Sequence, residues 1–297
     1  MLVNTELYRV FYTVAKCGSL TRAARELFIS QPAVSQAVKL LEKQIGGTLF
    51  IRTAKGMDLT YEGGIIFEYI EKAQELIDTA EHKFKQLKDL EFGSFTIGAN
   101  DTLCKNYLLK YICAFNKLYP DVIIRIKNRT TVDTINLLRS GKADIGFVNL
   151  PADAKDMDVA ECFKIHDIFV ADKKTFESVK EPPEYQGLKE MPLIVIERTS
   201  TTRMLLDEYF ESQKITLTPS FELSSHELVV EFAKAGLGIG CVVKEFVEED
   251  IKEGRLFEIP LKIPLPGRGI GLITPSGAPI KFAAKRFVEM IGGKQKK

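Results

Sequence analysis

Residues 18–60 read GSLTRAARELFISQPAVSQAVKLLEKQIGGTLFIRTAKGMDLT, and the pattern of this stretch decides the fold. Ser30 is placed to cap a helix, Pro32 falls in its first turn, where a missing N–H costs nothing, and Gly46 ends it. At helical spacing Val34, Val38, Leu41 and Ile45 share one face. The other face then carries Pro32, Ser35, Gln36, Lys39 and Lys43, with Gln31 flanking the first turn. Glutamine matches adenine edges in the major groove, serine serves a base or a phosphate, and lysine neutralises phosphate.

Outward from that helix, Ser19 is placed to cap a shorter one whose Ala23, Ala24 and Leu27 pack inward, with Phe28 and Ile29 making the turn between them. Leu7, Val10, Phe11, Val14 and Ala15 recur at helical spacing up to Gly18. Three short, tightly joined helices fit a helix-turn-helix module. Beyond Gly46 and Gly47 the period changes. Leu49, Phe50 and Ile51 form an apolar strand, Lys55-Gly56 a turn, and Met57 to Leu59 a return strand, which together make a wing with Arg52 and Lys55 near its tip. Up to Thr60 the cations Arg9, Lys16, Arg22, Arg25, Lys39, Lys43, Arg52 and Lys55 outnumber Glu6, Glu26, Glu42 and Asp58, although the whole chain carries only +1.

Gly18-Ser19-Leu20-Thr21, Ala23-Ala24, Leu27, Ser30-Gln31-Pro32-Ala33-Val34-Ser35, Leu41-Glu42, Gly46, Leu49-Phe50, Arg52 and Leu59-Thr60 together resemble the LysR-type transcriptional regulators. With the resemblance, the candidate DNA contacts are Thr21, Arg22, Ser30, Gln31, Pro32, Ala33, Ser35, Gln36, Lys39, Arg52 and Lys55. The bland alternative is a helical core with a merely solvated charged face.

From Tyr61 to about Glu91 the chain holds no proline, and Ile66, Tyr69, Ala73, Leu76, Ala80, Phe84 and Leu87 recur in alternating steps of three and four, widened by Ile70 and Ile77. That spacing suits a long helix packed on another long helix, supplied by a second copy of the chain. The resemblance implies a dimerising linker helix here. A dimer presents two reading helices to two half-sites of a double-stranded DNA operator.

From Phe92 onward strands and helices alternate: Phe95 to Ala99, Leu103 to Leu118, Val122 to Ile126, Val132 to Leu138 and Ala143 to Val148. A second such unit spans about Ile168 to Pro260, and a strand Gly269 to Thr274 and a helix Ile280 to Ile291 return to the first. This predicts two α/β subdomains with largely parallel sheets, about 92–163 with 268–297 and about 164–267, crossing near Glu161 to Asp167 and near Ile263 to Arg268. The overall expectation is α+β and multidomain: a winged helix-turn-helix over 1–60, a linker helix over 61–91 and an α/β domain over 92–297. The resemblance implies that this last part binds an effector and is similar in fold to periplasmic solute-binding proteins. It also implies a tetramer built from dimers and contact with RNA polymerase.

Ligands in open α/β sheets gather at strand ends, and helix N-termini favour anions. The strand-end candidates are Asn100, Asp101 and Thr102, then Thr130 and Thr131, then Asn149, and in the second subdomain Thr199-Ser200-Thr201-Thr202 and Ser224-Ser225-His226. Hydroxyls and open N–H groups suit a small anion, with Arg203 nearby. Each of these residues also reads as an ordinary helix cap, Ser224 with Glu227 forming a capping box. Asp101 at the mouth opposes an anion or accepts a bond from an amine or hydroxyl.

Gly236, Gly238 and Gly240 follow a helix and precede a strand, the reverse of a dinucleotide loop, so no nucleotide cofactor is assigned. Cys17, Cys104, Cys113, Cys162 and Cys241 show no CxxC spacing, and His82, His166 and His226 are dispersed, which gives neither a disulfide framework nor a metal cluster. A redox-responsive regulator using Cys104 or Cys162 remains an alternative, as does a solute-binding protein or enzyme with a helical arm. Against the enzyme, no nucleophile-base pair is visible. A hydrophobic content of 45% over 297 residues supports real cores. The polar start and the lack of a long apolar run place the expected protein in the cytoplasm, with no membrane partner.

Overall fold

A computed structural model describes residues 4–54 and 56–292, and the chain divides into two compact units, Met1–Gln86 and Leu87–Lys297. In the first, α1 (Thr5–Cys17) starts at Asn4, whose side chain accepts from the Glu6 amide, and stops at Gly18 in the left-handed conformation. Ser19 accepts from the Arg22 amide to open α2 (Leu20–Glu26), and Ser30 accepts from the Ala33 amide to open α3 (Gln31–Ile45). Val10, Phe11, Val14, Ala23, Val34 and Leu41 bury the three helices on one another. Ile45, expected on the same face, is 36% exposed because α3 runs a turn past its last buried residue, Leu41.

The wing is β1 (Phe50–Thr53) paired antiparallel with β2 (Gly56–Leu59), so Gly56 belongs to the return strand and faces Thr53. Two contacts fix it to the helices. The Glu42 carboxylate accepts from the Leu49 and Phe50 amides at 2.8 and 3.3 Å, and the Met57 amide donates to the Gly18 carbonyl at 2.9 Å. Gly56 has φ 138°, and a Cβ there would lie 2.2 Å from the Gly18 carbonyl oxygen, so no larger residue fits.

Helix α4 (Tyr61–Lys88) divides the apolar stripe read from the sequence. Ile66 and Ile70, together with Phe67, pack on the core of the first unit, and Phe67 stacks on Tyr12 at 5.7 Å. Tyr69, Leu76, Ile77 and Phe84 are 70%, 71%, 53% and 59% exposed. Tyr69, Leu76 and Ile77 leave apolar surface outside the core of the first unit, whereas Ile66, Phe67 and Ile70 are taken by that core. The helix ends at Lys88 rather than near Glu91. Leu90 turns the chain at φ 61° and buries its side chain in the second unit.

The second unit consists of two lobes. Lobe I holds β3 (Gly93–Ala99), α5 (Asp101–Leu103), α6 (Leu109–Leu118), β4 (Val122–Asn128), α7 (Thr131–Arg139), β5 (Ile145–Asn149) and β6 (Met157–Ile165). Lobe II follows with β7 (Asp167–Ala171), α8 (Lys173–Ser178), β8 (Leu193–Ile196), α9 (Thr201–Ser212), β9 (Phe221–Leu223), α10 (His226–Lys234), β10 (Ile239–Val243), α11 (Glu248–Lys252) and β11 (Phe257–Ile259). β12 (Arg268–Pro275) and α12 (Phe282–Gly292) return to lobe I. The sheet orders are β4-β3-β5-β12-β6 and β11-β7-β10-β8-β9.

Both sheets are mixed rather than largely parallel, because the strand that follows each lobe crossing runs backwards. β12 is antiparallel to β5 and β6, and β7 is antiparallel to β10 and β11. β6 continues to Ile165 and β7 begins at Asp167, so within the expected stretch from Glu161 to Asp167 the first crossing is the single residue His166. The expected helix over 103–118 is interrupted by a π-helical turn, Cys104–Leu108, in which the Leu109 amide reaches the Cys104 carbonyl. At Gly238 a Cβ would stand 2.1 Å from the Pro192 carbonyl oxygen, which also accepts from the Ile239 amide at 2.8 Å. The glycine segment is thus a close helix-to-strand turn.

Candidate functional site

With Val34, Val38 and Leu41 buried, α3 exposes Gln31, Pro32, Gln36, Lys39 and Lys43 and leaves Ala33 and Ser35 half-buried. Ser30, exposed at the helix start, has its hydroxyl engaged with the Ala33 amide at 3.4 Å. Thr21 and Arg22 are exposed on α2 and Arg52 on β1, while Lys55 lies outside the described residues. Two other cations of this unit are neutralised locally: Arg9 pairs with Glu6 at 2.5 Å and Lys16 with Glu71 at 3.5 Å. Arg22, Lys39, Lys43 and Arg52 form no ion pair among the described residues. Their charge is available to an outside anion.

In the second unit a cleft of about 380 Å³ brings together Asn100, Asp101, Thr102, Thr130, Thr131, Asn149, Thr199, Ser200, Thr201, Ser224, Ser225 and His226. Thr202 is not among its walls; its side chain is buried at 6% exposure. Arg203 is not there either. It is fully buried, with Nε donating to Asp207 at 2.8 Å and Nη1 to the Ile196 carbonyl and Glu222 at 3.1 and 3.2 Å. Its Nη2 finds no partner among the described residues.

Four helices begin at this cleft, and their starts differ. Asn100 accepts from the Leu103 amide at 2.8 Å to cap α5. Thr130 accepts from the Asp133 amide at 3.2 Å to cap α7 and donates to the Asp133 carboxylate at 3.0 Å. Ser225 accepts from the Leu228 amide at 3.2 Å to cap α10. The capping residue is therefore Ser225 and not Ser224, and Glu227 instead pairs with Lys105 of the other lobe at 2.6 Å. Helix α9 alone of the four has no side-chain cap: Ser200 occupies the cap position without a side-chain bond. The Met204 amide bonds to the Ser200 carbonyl at 3.0 Å, and no acceptor among the described residues meets the amides of Thr201, Thr202 and Arg203. Open amides at a helix start attract negative charge.

The cleft also carries Arg129, Asp133 and Glu197, which the sequence reading missed although they flank the loops it named. Behind Asn149, Arg268 donates to its side-chain oxygen and clasps Asp167 at 2.6 and 3.0 Å, tying the first residue of β12 to the first of β7. Desolvation pushes the His226 imidazole down to about 4, Asp167 opposing and Arg268 reinforcing the shift, so it is neutral near pH 7. Burial pushes the Cys104 thiol up, reinforced by Asp101, and also raises the Cys162 thiol. Neither is a ready thiolate. Among the described residues no group of His, Cys, Asp and Glu is arranged to hold a metal ion, and no helix is long and apolar enough to cross a membrane.

Two family models match the chain: the bacterial regulatory helix-turn-helix protein, lysR family, over residues 5–64, and the LysR substrate binding domain over residues 88–295. The chain is 27% identical over 290 residues to the HTH-type transcriptional regulator YeiE of Escherichia coli K12, covering 97% of each. It is 28% identical over 236 residues to the HTH-type transcriptional activator CmpR of a Synechocystis strain, covering 79% of this chain and 77% of CmpR. The solved structure of a full-length OxyR variant from Pseudomonas aeruginosa shares the fold, with a TM-score of 0.80 at 20% identity over 98% of this chain and 100% of that one. The chain belongs to the LysR family of DNA-binding transcription regulators, its winged helix-turn-helix joined by a linker helix to a two-lobed ligand-binding domain.

Proposed function

We propose that this regulator reads an operator with Gln31, Ser35 and Gln36, holds its backbone with Thr21, Arg22, Lys39, Arg52 and Lys55, and answers a small ligand that places one negatively charged group at the start of α9. The observation that carries the ligand assignment is the uncapped N-terminus of α9, with Thr199, Ser200 and Thr201 lining the cleft beside it. The starts of α5, α7 and α10 each have one first-turn amide already engaged by the capping side chain. Asp101, Asp133 and Glu197 against Arg129 disfavour a multiply charged anion, so a monocarboxylate or similar singly charged group fits best. Ligand binding regulates only if the closed and open arrangements of the lobes bind it unequally. The exposed Tyr69, Leu76 and Ile77 of α4 suit a second copy of the chain, which supplies the second reading helix.

The test is a thermal-shift titration of the full chain with formate, acetate, lactate, phosphate and sulfate, run beside Thr201→Val and Ser200→Ala. A ligand at one hundred times its dissociation constant adds about 2.7 kcal/mol of stability, well within detection. The proposal expects a singly charged acid to raise the melting temperature of the wild type and much less that of the two variants. Equal shifts in all three proteins would move the site elsewhere.

A further inference from the structure

Outside the ligand cleft, one residue of the DNA-binding unit sits in a conformation and an exposure that the folded chain does not explain. Phe28 has φ 56° and its side chain is 94% exposed. It closes α2: the Phe28 amide reaches the Arg25 carbonyl at 3.3 Å and the Ile29 amide reaches the Ala24 carbonyl at 3.0 Å. That bonding pattern is the helix stop in which glycine is the usual residue, because a side chain there meets its own backbone. The other described non-glycine residues with positive φ are Leu90 and Lys214. Leu90 is 7% exposed and packs in a core, and Lys214 is a charged side chain at home in water. Phe28 has neither account. An aromatic ring is held in water at a position that glycine would fill with less strain.

Its place in the chain names the partner. In a helix-turn-helix the first helix crosses the DNA backbone and the start of the second enters the major groove. Phe28 lies between them, two residues before the Ser30 cap and next to the exposed first turn of Gln31 and Pro32. Exposed Arg22 and Arg25 precede it on α2. We propose that Phe28 is an apolar DNA contact, its ring packing on deoxyribose at the edge of the groove that α3 enters. The inference rests on α3 being the reading helix.

The experiment uses the full chain, a duplex enriched by the wild type from a random-sequence pool, and an unrelated duplex. Phe28→Gly suits the backbone and is expected to keep or raise the melting temperature. It is also expected to weaken both duplexes by a similar factor of about five to ten, since the lost contact is apolar and reads no base. The salt dependence should stay unchanged, because deoxyribose contact releases no counterion. Phe28→Leu should recover part of the affinity. Unchanged binding of both duplexes would overturn the proposal, as would a change in oligomeric state with binding intact. A loss confined to the enriched duplex and reproduced by replacing thymine with uracil would overturn the deoxyribose assignment. Failure of the wild type to enrich any duplex would instead overturn the reading role of α3, and this inference with it.

Discussion

Helices α3 and α9 both open on hydroxyl-bearing residues at a functional face, yet the two openings are built differently. At α3 the Ser30 hydroxyl accepts from the Ala33 amide, so the hydroxyl is spent on its own helix, and the side chains that face outward are Gln31, Gln36 and Lys39. At α9 Ser200 makes no such bond, and Thr199, Ser200 and Thr201 line the cleft beside the uncapped start. The same residue type therefore caps one helix and, in the other, lines a cleft with its side chain uncommitted to the cap, which is where we propose that an anion binds. A cap and a ligand contact are the same chemistry directed at different partners.

The comparison breaks most visibly on the DNA side. Replacing Gln36 by Ala should remove base reading and reduce discrimination between the enriched and unrelated duplexes by about 1–3 kcal/mol. Replacing Lys39 or Arg52 by Ala should weaken both duplexes alike and lower the slope of log affinity against log salt by about one. Filter-binding or anisotropy titrations over a salt series separate the two patterns, and identical behaviour of all three variants would erase the proposed division between base reading and backbone contact.

A smaller effect sharpens the contrast between the two serines. Ser30→Ala should cost about 1 kcal/mol in urea unfolding, the worth of an N-cap. Ser200→Ala should stay within about 0.5 kcal/mol, since no cap bond is lost. Equal losses would mean that Ser200 caps α9 after all. The start of α10, a third opening, adds a pH signature. His226 titrates near 4 in the folded chain against 6.5 when unfolded, so the unfolded chain binds the proton first. Its contribution to stability is complete above pH 6.5 and is lost as pH falls toward about 4. His226→Gln should flatten the fall of melting temperature over that window, and an unchanged profile would show that His226 is well solvated.

Much of this architecture was legible because it rests on local rules. The caps at Ser19 and Ser30, the stop at Gly46 and the apolar period of α3 all lie within a few residues of what they control. Features set by distant neighbours were not legible. The π-helical turn at Cys104, the antiparallel β12 between β5 and β6, and the one-residue crossing at His166 depend on how the lobes exchange strands. The stripe on α4 was visible, but periodicity does not say that Ile66 and Ile70 are covered by their own unit while Leu76 is not. At the cleft the loops were found by their place at strand ends. Which serine caps and which does not, the burial of Thr202 and Arg203, and the addition of Arg129 and Glu197 required atomic geometry. Glu42 belongs to the same class: its carboxylate anchors the wing through two amides, which no spacing on α3 announces.

The most direct test of the open α9 start is amide NMR on the full-length, deuterated chain during titration with the acid that raises its melting temperature. The account predicts saturable shifts at the Thr201, Thr202 and Arg203 amides, larger than those at the capped starts of α7 and α10. Ligand-saturated spectra in which those three amides stay in place while the amides of another loop move would contradict it.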